Sequence, residues 1–481
     1  MNIGIIGAGP AGMTAAYQLS KHLGREVNSL HVFEVTGETG GMARTIERWG
    51  HRMDLGPHRF FSKDPEINAL WLEVVGEDYD MVKRITRIYY NRRFFHYPIQ
   101  VADALKGLGG AEALRCTFSY LNARIRPRRE GLSFEEWTVG RFGRRLYEIF
   151  FKTYSEKLWG IPCRELDADF ATQRIRALSF WKALRHAMPL KQQNQHATLV
   201  DAFAYPTGGS GRVYEIMRDR IKERGGQFHF HEGVDRVLTR KGQVCGLRLE
   251  SGREAEFDHI ISTMPLNRLV RGLPDLPAPV REAADRLRFR NTILVYVRVE
   301  NSRLFPDQWL YIHEASLRTG RITNFRNWVP SLYGESPFSI LCLEYWCDRE
   351  ETLWSDPDET LVDLARKELE QTGLVRPEEI RDGHVLRIPR CYPVYFRGYA
   401  ATLDVVRQYL AGFQRLHPIG RYGSYKYNNQ DHSILMGMKA AENIVLDQNH
   451  DLWAINTDYG VYQESGRITE TGLVIPSPEI L

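Results

Sequence analysis

The 481 residues, 43% hydrophobic, 11% aromatic and 26% charged, have the composition of an ordinary folded protein, and the length calls for two or three structural units rather than one core. A formal net charge of +4 argues against nucleic acid or another bulk polyanion as partner, and no apolar run is long enough to span a bilayer. Six scattered cysteines without a CxxC pair argue against a disulfide framework or a metal site and fit a reducing cytoplasm.

The first strand is read at Ile3–Ile6, followed by a GxGxxG turn at Gly7, Gly9 and Gly12, with Ala11 inside it, and a helix over Thr14–Leu23. Glycines at this spacing let the backbone approach a pyrophosphate, whose charge then sits at the positive end of the helix. A second strand, Leu30–Phe33, ends in Glu34, a carboxylate placed to accept hydrogen bonds from an adenosine ribose. GETGGMAR then supplies Gly40, Gly41 and Arg44, which resemble the second glycine motif of amine-oxidase-type flavoproteins and are foreign to NAD-only domains. Together these segments point to FAD.

After residue 70 the pattern leaves the nucleotide fold. Positions 100 to 190 are mainly helical by spacing, and 204 to 262 return to a helix (Val213–Arg224) and short strands at Gln227–His231, Val244–Leu249 and His259–Ser262. His229 and His231 are read as strand-surface residues, not ligands. The stretches ILVYVRVE, WLYIHE and SILCLEYW alternate as antiparallel strands with one face free to floor a cleft, Thr360–Thr372 reads as an amphipathic helix, and another helix starts near His432. The expected fold is α/β. A Rossmann-type FAD-binding domain is assembled from residues 1–75, 195–270 and 410–450. A mainly helical domain is inserted at 100–194, an antiparallel β-sheet substrate domain takes 76–99 and 271–409, and 451–481 form a tail.

Read in order, further motifs resemble UDP-galactopyranose mutase and its flavin-dependent relatives in the amine oxidase and protoporphyrinogen oxidase superfamily, over the whole chain before the tail. LGPHRFF puts Gly56, Pro57 and His58 where that family has a histidine against the flavin ring. FFKTYSEKLWG matches the YTxKxWG element through Tyr154, Lys157, Trp159 and Gly160, with Tyr154 in the place of the aromatic that stacks on uracil. Arg174 in ATQRI and Arg321 in GRITNF fall on the two substrate arginines. Tyr392 and the segment with Gly420, Arg421, Tyr425, Tyr427, Asn429 and Gln430 complete the cofactor- and substrate-facing set, and the turn AYPTGGSG is expected beside the flavin.

The resemblance implies a nucleotide-sugar substrate whose pyranose and furanose forms interconvert without net redox, with N5 of reduced flavin as nucleophile at the anomeric carbon and NAD(P)H or another donor reducing it. His58 would tune the flavin, and Arg174, Arg321, Arg421, Tyr425 and Tyr427 would hold the diphosphate as its charge develops. The resemblance leaves room for a homodimer. Asn429 replaces an aspartate usual in the mutases, and GPHRFF replaces GPHIFH, which puts UDP-galactose itself in question. Plainer readings stay open: Tyr154 and Trp159 as core aromatics, Arg174 paired with Asp167 or Asp169, Arg321 as a solvated strand residue. A flavin oxidase or desaturase, and a flavin-free scaffold, remain as rival functions.

Overall fold

The computed structural model describes residues 1–62, 64–97, 107–125, 133–169 and 202–455, positions 99 and 104, and a small ladder of Ile468–Thr469 with Gly472–Leu473. The strand that precedes the glycine turn, Asn2–Ile6, lies at the centre of a five-stranded sheet. Its order is Leu416–Pro418, His259–Ser262, Asn2–Ile6, Ser29–Glu34, Gln227–Phe230. All four pairings are parallel, so the strands deliver their C-terminal ends to one edge, the usual place for a nucleotide. Segments from residues 2 to 418 thus meet in one nucleotide fold.

The following helix, Pro10–Ser20, starts and stops earlier than the apolar spacing suggests. Pro10 occupies the first helical position, where a missing N–H costs nothing, and Met13 N–H donates to Gly9 O at 2.9 Å. The helix N-terminus therefore abuts the glycine turn directly. A second long helix, Gln430–Val445, packs along it. Gly437 allows the contact, because a Cβ there would stand 2.4 Å from Ala11 O.

A seven-stranded sheet forms the other layer, in the order Ile380–Pro393, Phe289–Val299, Ser339–Cys347, Arg321–Asn324, Trp309–Ile312, Thr86–Tyr90, Arg93–His96. It is antiparallel except where Trp309–Ile312 runs parallel to Thr86–Tyr90. The strand Phe289–Val299 is covered on both sides. Its odd positions Ile293, Val295 and Val297 pack on Leu361, Ala365 and Leu369 of the helix Asp358–Thr372, while Leu294 and Tyr296 join the larger core toward the dinucleotide sheet.

The helical unit contains Gly110–Ile125, Phe134–Phe142, Arg144–Tyr147 and Thr153–Trp159, the last entered through a π-helical turn at Glu148–Lys152. Ser133 caps Phe134–Phe142 reciprocally with Glu136: its Oγ accepts from Glu136 N–H at 3.2 Å, and the Glu136 carboxylate accepts from Ser133 N–H at 2.9 Å. Arg174 lies outside the described residues. His229 is half-buried rather than at the surface, its ring stacked on Phe33 at 4.6 Å with Nε2 3.0 Å from His31 Nδ1. Among the described residues no group of side chains could hold a metal ion, and no helix is long and apolar enough to cross a membrane. All six cysteines are free thiols.

Candidate functional site

A cavity of about 640 Å³ runs from the C-terminal edge of the parallel sheet to the strands Trp309–Ile312 and Arg321–Asn324. At the first end it is lined by Gly7, Gly9, Ala11, Glu34, Gly41 and Arg44. The Glu34 carboxylate is oriented in advance. Oε2 accepts from Ala8 N–H at 2.8 Å, and Oε1 from the N–H and hydroxyl of Thr36, each at 2.9 Å. Capacity remains for a further hydroxyl donor. Arg44 Nε lies 3.3 Å from Glu38 Oε2.

Gly12 and Gly40 do not line this end; they allow it to close up. A Cβ on Gly12 would stand 2.1 Å from Gly7 O, and one on Gly41 would stand 2.9 Å from Gly9 Cα. Gly40 N–H donates to Ala8 O at 2.8 Å, so the second glycine pair nests on the first. The turn AYPTGGSG also stays off the cavity, contrary to expectation. Ser210 N–H and Tyr205 O–H donate to the buried Asp54 carboxylate at 3.1 and 2.8 Å, and Gly211 N–H donates to Thr45 Oγ1 at 2.8 Å. The turn therefore buttresses the strand that follows Arg44. Burial pushes the Asp54 carboxyl up to about 7, against the pull of these donors.

Pro57 and His58 line the middle of the cavity, while Gly56 packs behind them against Glu344. His58 Nε2–H donates to Leu55 O at 3.0 Å. Burial, then the charges of Arg421 and Arg321, hold the imidazole down to about 3. It is neutral, and Nδ1 is left as an acceptor.

At the far end Arg321 stands directly across the sheet from Glu344. The guanidinium grips that carboxylate in a fork, Nε to Oε1 at 2.5 Å and Nη2 to Oε2 at 2.6 Å, with Glu344 2% exposed. Arg321 is thus a buried, paired cation and not a solvated strand residue. Arg421 donates through Nε and Nη2 to Asn428 O at 3.0 and 2.6 Å. It lies 5.4 Å from the Tyr392 ring and 5.2 Å from the Tyr427 ring, and those rings stack on each other at 5.4 Å. Asn429 and Gln430 reach the cavity from the N-terminus of their helix. Gln430 is fixed by Tyr214 O–H at 2.8 Å and by donating to Ser210 Oγ at 3.1 Å.

Phe150, Phe151, Tyr154, Ser155 and Leu158 share one helical face and line the cavity opposite the sheet. The Tyr154 ring stacks on His313 at 5.1 Å and meets Tyr311 and Trp346 edge-on. Lys157 points away and donates to the carbonyls of Ile312, Glu314 and Thr319 at 3.2, 2.7 and 3.1 Å, which ties this helix to the sheet. Burial lowers its ammonium to about 8.

Two residues assigned to substrate from sequence do not line the cavity. Trp159 is buried behind the wall, stacked on Tyr395 at 6.2 Å and edge-on to Tyr427. Tyr425 is fully buried, with its hydroxyl 2.8 Å from the carbonyls of Arg288 and Val394. In compensation the structure adds Trp309, Tyr311 and His313 to the lining, with Glu344 behind Arg321. Period-two spacing in WLYIHE puts the first three on one strand face, and a lone carboxylate inside SILCLEYWC marks a buried partner for a cation.

The profile of the family described as flavin containing amine oxidoreductase matches residues 10–445. Coproporphyrinogen III oxidase of Mycobacterium bovis is 25% identical over 430 residues, 85% of this chain and 89% of that protein. The zeta-carotene-forming phytoene desaturase of Myxococcus xanthus is 24% identical over 325 residues, 63% of this chain and 60% of that protein. Among solved structures, reduced UDP-galactopyranose mutase superposes with a TM-score of 0.83 at 22% identity, covering 95% of this chain and 98% of that one, a likeness of fold. The cofactor is FAD, and the residues present fit it: the two nested glycine pairs leave no room for side chains, and Glu34 is already held by its three donors.

Proposed function

The chain belongs to the flavin containing amine oxidoreductase family, and on that premise we propose that this FAD enzyme is a nucleotide-sugar mutase, exchanging pyranose and furanose rings without net redox. One observation carries the reading: two guanidinium groups, Arg321 and Arg421, line one cavity and face the same neutral His58 and the same Tyr392. A leaving nucleoside diphosphate gains charge as the anomeric bond breaks, and guanidinium groups fixed in advance stabilise it without reorganising. FAD held by the nested glycine turns and Glu34 would, when reduced, supply a nucleophilic nitrogen for the anomeric carbon. Tyr154 offers a face for the nucleobase, and Tyr427 and Tyr392 hold Arg421 in place. His58 stays neutral, donates to Leu55 O and presents Nδ1 as an acceptor.

The pairing of Arg321 with Glu344, together with the aromatic wall of Phe150, Phe151, Trp309 and Tyr311, favours a second reading, an oxidase or desaturase of a large unsaturated substrate. The sequence relatives named above carry that kind of name. One preparation separates the two. The purified flavoprotein is incubated with a panel of UDP- and dTDP-sugars, with and without dithionite, and the products are resolved by anion-exchange chromatography. A ring-isomeric nucleotide sugar formed only under reduction is the expected result. Hydrogen peroxide formed in step with an oxidised coproporphyrinogen or carotene, and no sugar turnover, would replace the mutase reading with the oxidase.

A further inference from the structure

The hydrogen-bond ladder of the seven-stranded sheet breaks beside the cavity. Pairing between Phe289–Val299 and Ile380–Pro393 passes from Arg290 with Tyr392 to Thr292 with Ile388, so Pro389, Arg390 and Cys391 all stand opposite Asn291. Such bulges re-aim side chains and concentrate next to active sites, and Pro389 is tolerated here because the ladder is already interrupted. Arg390 takes a left-handed φ of +57°. That conformation is unfavourable for a residue with a Cβ. Asn291, itself buried, holds it by accepting Arg390 N–H on Oδ1 at 2.9 Å.

Ile388, Pro389 and Arg390 line the cavity wall. Among the described residues the Arg390 guanidinium has no hydrogen-bond or ion-pair partner; only its backbone N–H is engaged. Its charged neighbours are cations, Arg268 and Arg349, and with burial they hold it below the usual arginine range. Arg268 also lines the cavity, with Glu250 3.0 Å away as its partner. Arg268 is thus paired, and Arg390 adds a positive charge that no carboxylate in the patch engages. A half-buried guanidinium held toward a cavity on a strained backbone, with no partner of its own, is an arrangement that a bound anion would complete.

We propose that the Pro389–Cys391 bulge is a phosphate-recognition element, in which Arg390 contacts a phosphate of a nucleotide lying in the cavity and Arg268 adds to the local charge. The inference rests on the FAD assignment and is independent of the mutase reading. Two ligands could bring that phosphate: the pyrophosphate of FAD itself, or the phosphate of a second nucleotide that binds to the flavin-loaded enzyme.

The test uses Arg390→Gly and Arg390→Ala. Glycine accepts a φ of +57° without strain, so Arg390→Gly should fold with a melting temperature equal to or above that of the parent, and it carries the test if Arg390→Ala is unstable. FAD is titrated into apo-protein by flavin fluorescence, and inorganic pyrophosphate and UDP are titrated into the FAD-loaded enzyme by calorimetry. Loss of a charge-assisted contact should raise one dissociation constant about tenfold or more. A change in the FAD titration identifies the cofactor's pyrophosphate, and a change in the pyrophosphate or UDP titration identifies the second nucleotide. If Arg390→Gly melts like the parent and every dissociation constant stays within about twofold, the bulge has no such role and the proposal falls.

Discussion

The two ends of the cavity are built from different materials. The dinucleotide end is made mostly of backbone: turns at Gly7, Gly9 and Gly41 and the start of the helix Pro10–Ser20, joined by the side chains of Arg44 and of Glu34, the latter locked by its own neighbours. The far end is made of side chains carried by separate elements: Tyr154 on a helix, Tyr311 and Arg321 on two strands, and Tyr392 beyond a bulge. A backbone site is specified by glycines close together in sequence and tolerates no added atom. A side-chain site depends on tertiary pairing, and its charges must be balanced inside the protein.

That contrast can be broken at either end. The largest effect is expected from Gly12→Val. Its Cβ would overlap Gly7 O, and the protein should lose its flavin absorbance or fail to accumulate. Arg321→Ala comes next. It strands Glu344 as a buried unpaired carboxylate and should cost about 3–5 kcal/mol in urea unfolding while flavin content per folded protein is kept. Adding Glu344→Gln should restore most of that stability without restoring turnover, which separates the structural share of the pair from its catalytic share.

A smaller effect lies in pH. His58 and His313 are both held down to about 3 in the folded protein, below the unfolded value near 6.5. Between those values the unfolded chain binds more protons, so stability is full above about pH 6.5 and declines as pH falls toward 3. Melting temperatures across that range should show the slope, and His58→Asn should flatten it in part. The smallest effect is expected from Tyr425→Phe, which removes a hydroxyl contact to Arg288 O or Val394 O at about 1 kcal/mol and leaves KM unchanged. A raised KM would return Tyr425 to the substrate site.

The same contrast explains what could be read from the sequence. The strand, glycine turn, helix and Glu34 were legible because each relation is local; the strand bounds moved by a single residue, and the helix bounds by more, when Pro10 rather than Thr14 opened the helix. The motif FFKTYSEKLWG located the right helix but not its faces. Tyr154 and Trp159 are five residues apart, on different sides, so one meets the cavity and the other meets Tyr395. For Glu344 and His313 the sequence shows a lone carboxylate and a strand face but not the partners they meet: nothing local announces that Ser339–Cys347 lies next to Arg321–Asn324. Arg390 could not be found at all, since a bulge and a positive φ leave no mark in composition.

Lys157 gives the far wall an evolutionary property. Its ammonium binds three main-chain carbonyls, groups that every residue possesses, so the anchor between helix and sheet does not depend on which side chains stand at 309, 311 or 313. Substitutions at those positions can rewrite what the cavity accepts while the scaffold keeps its shape. A lineage carrying this anchor can diversify its substrates one exchange at a time, without first surrendering stability.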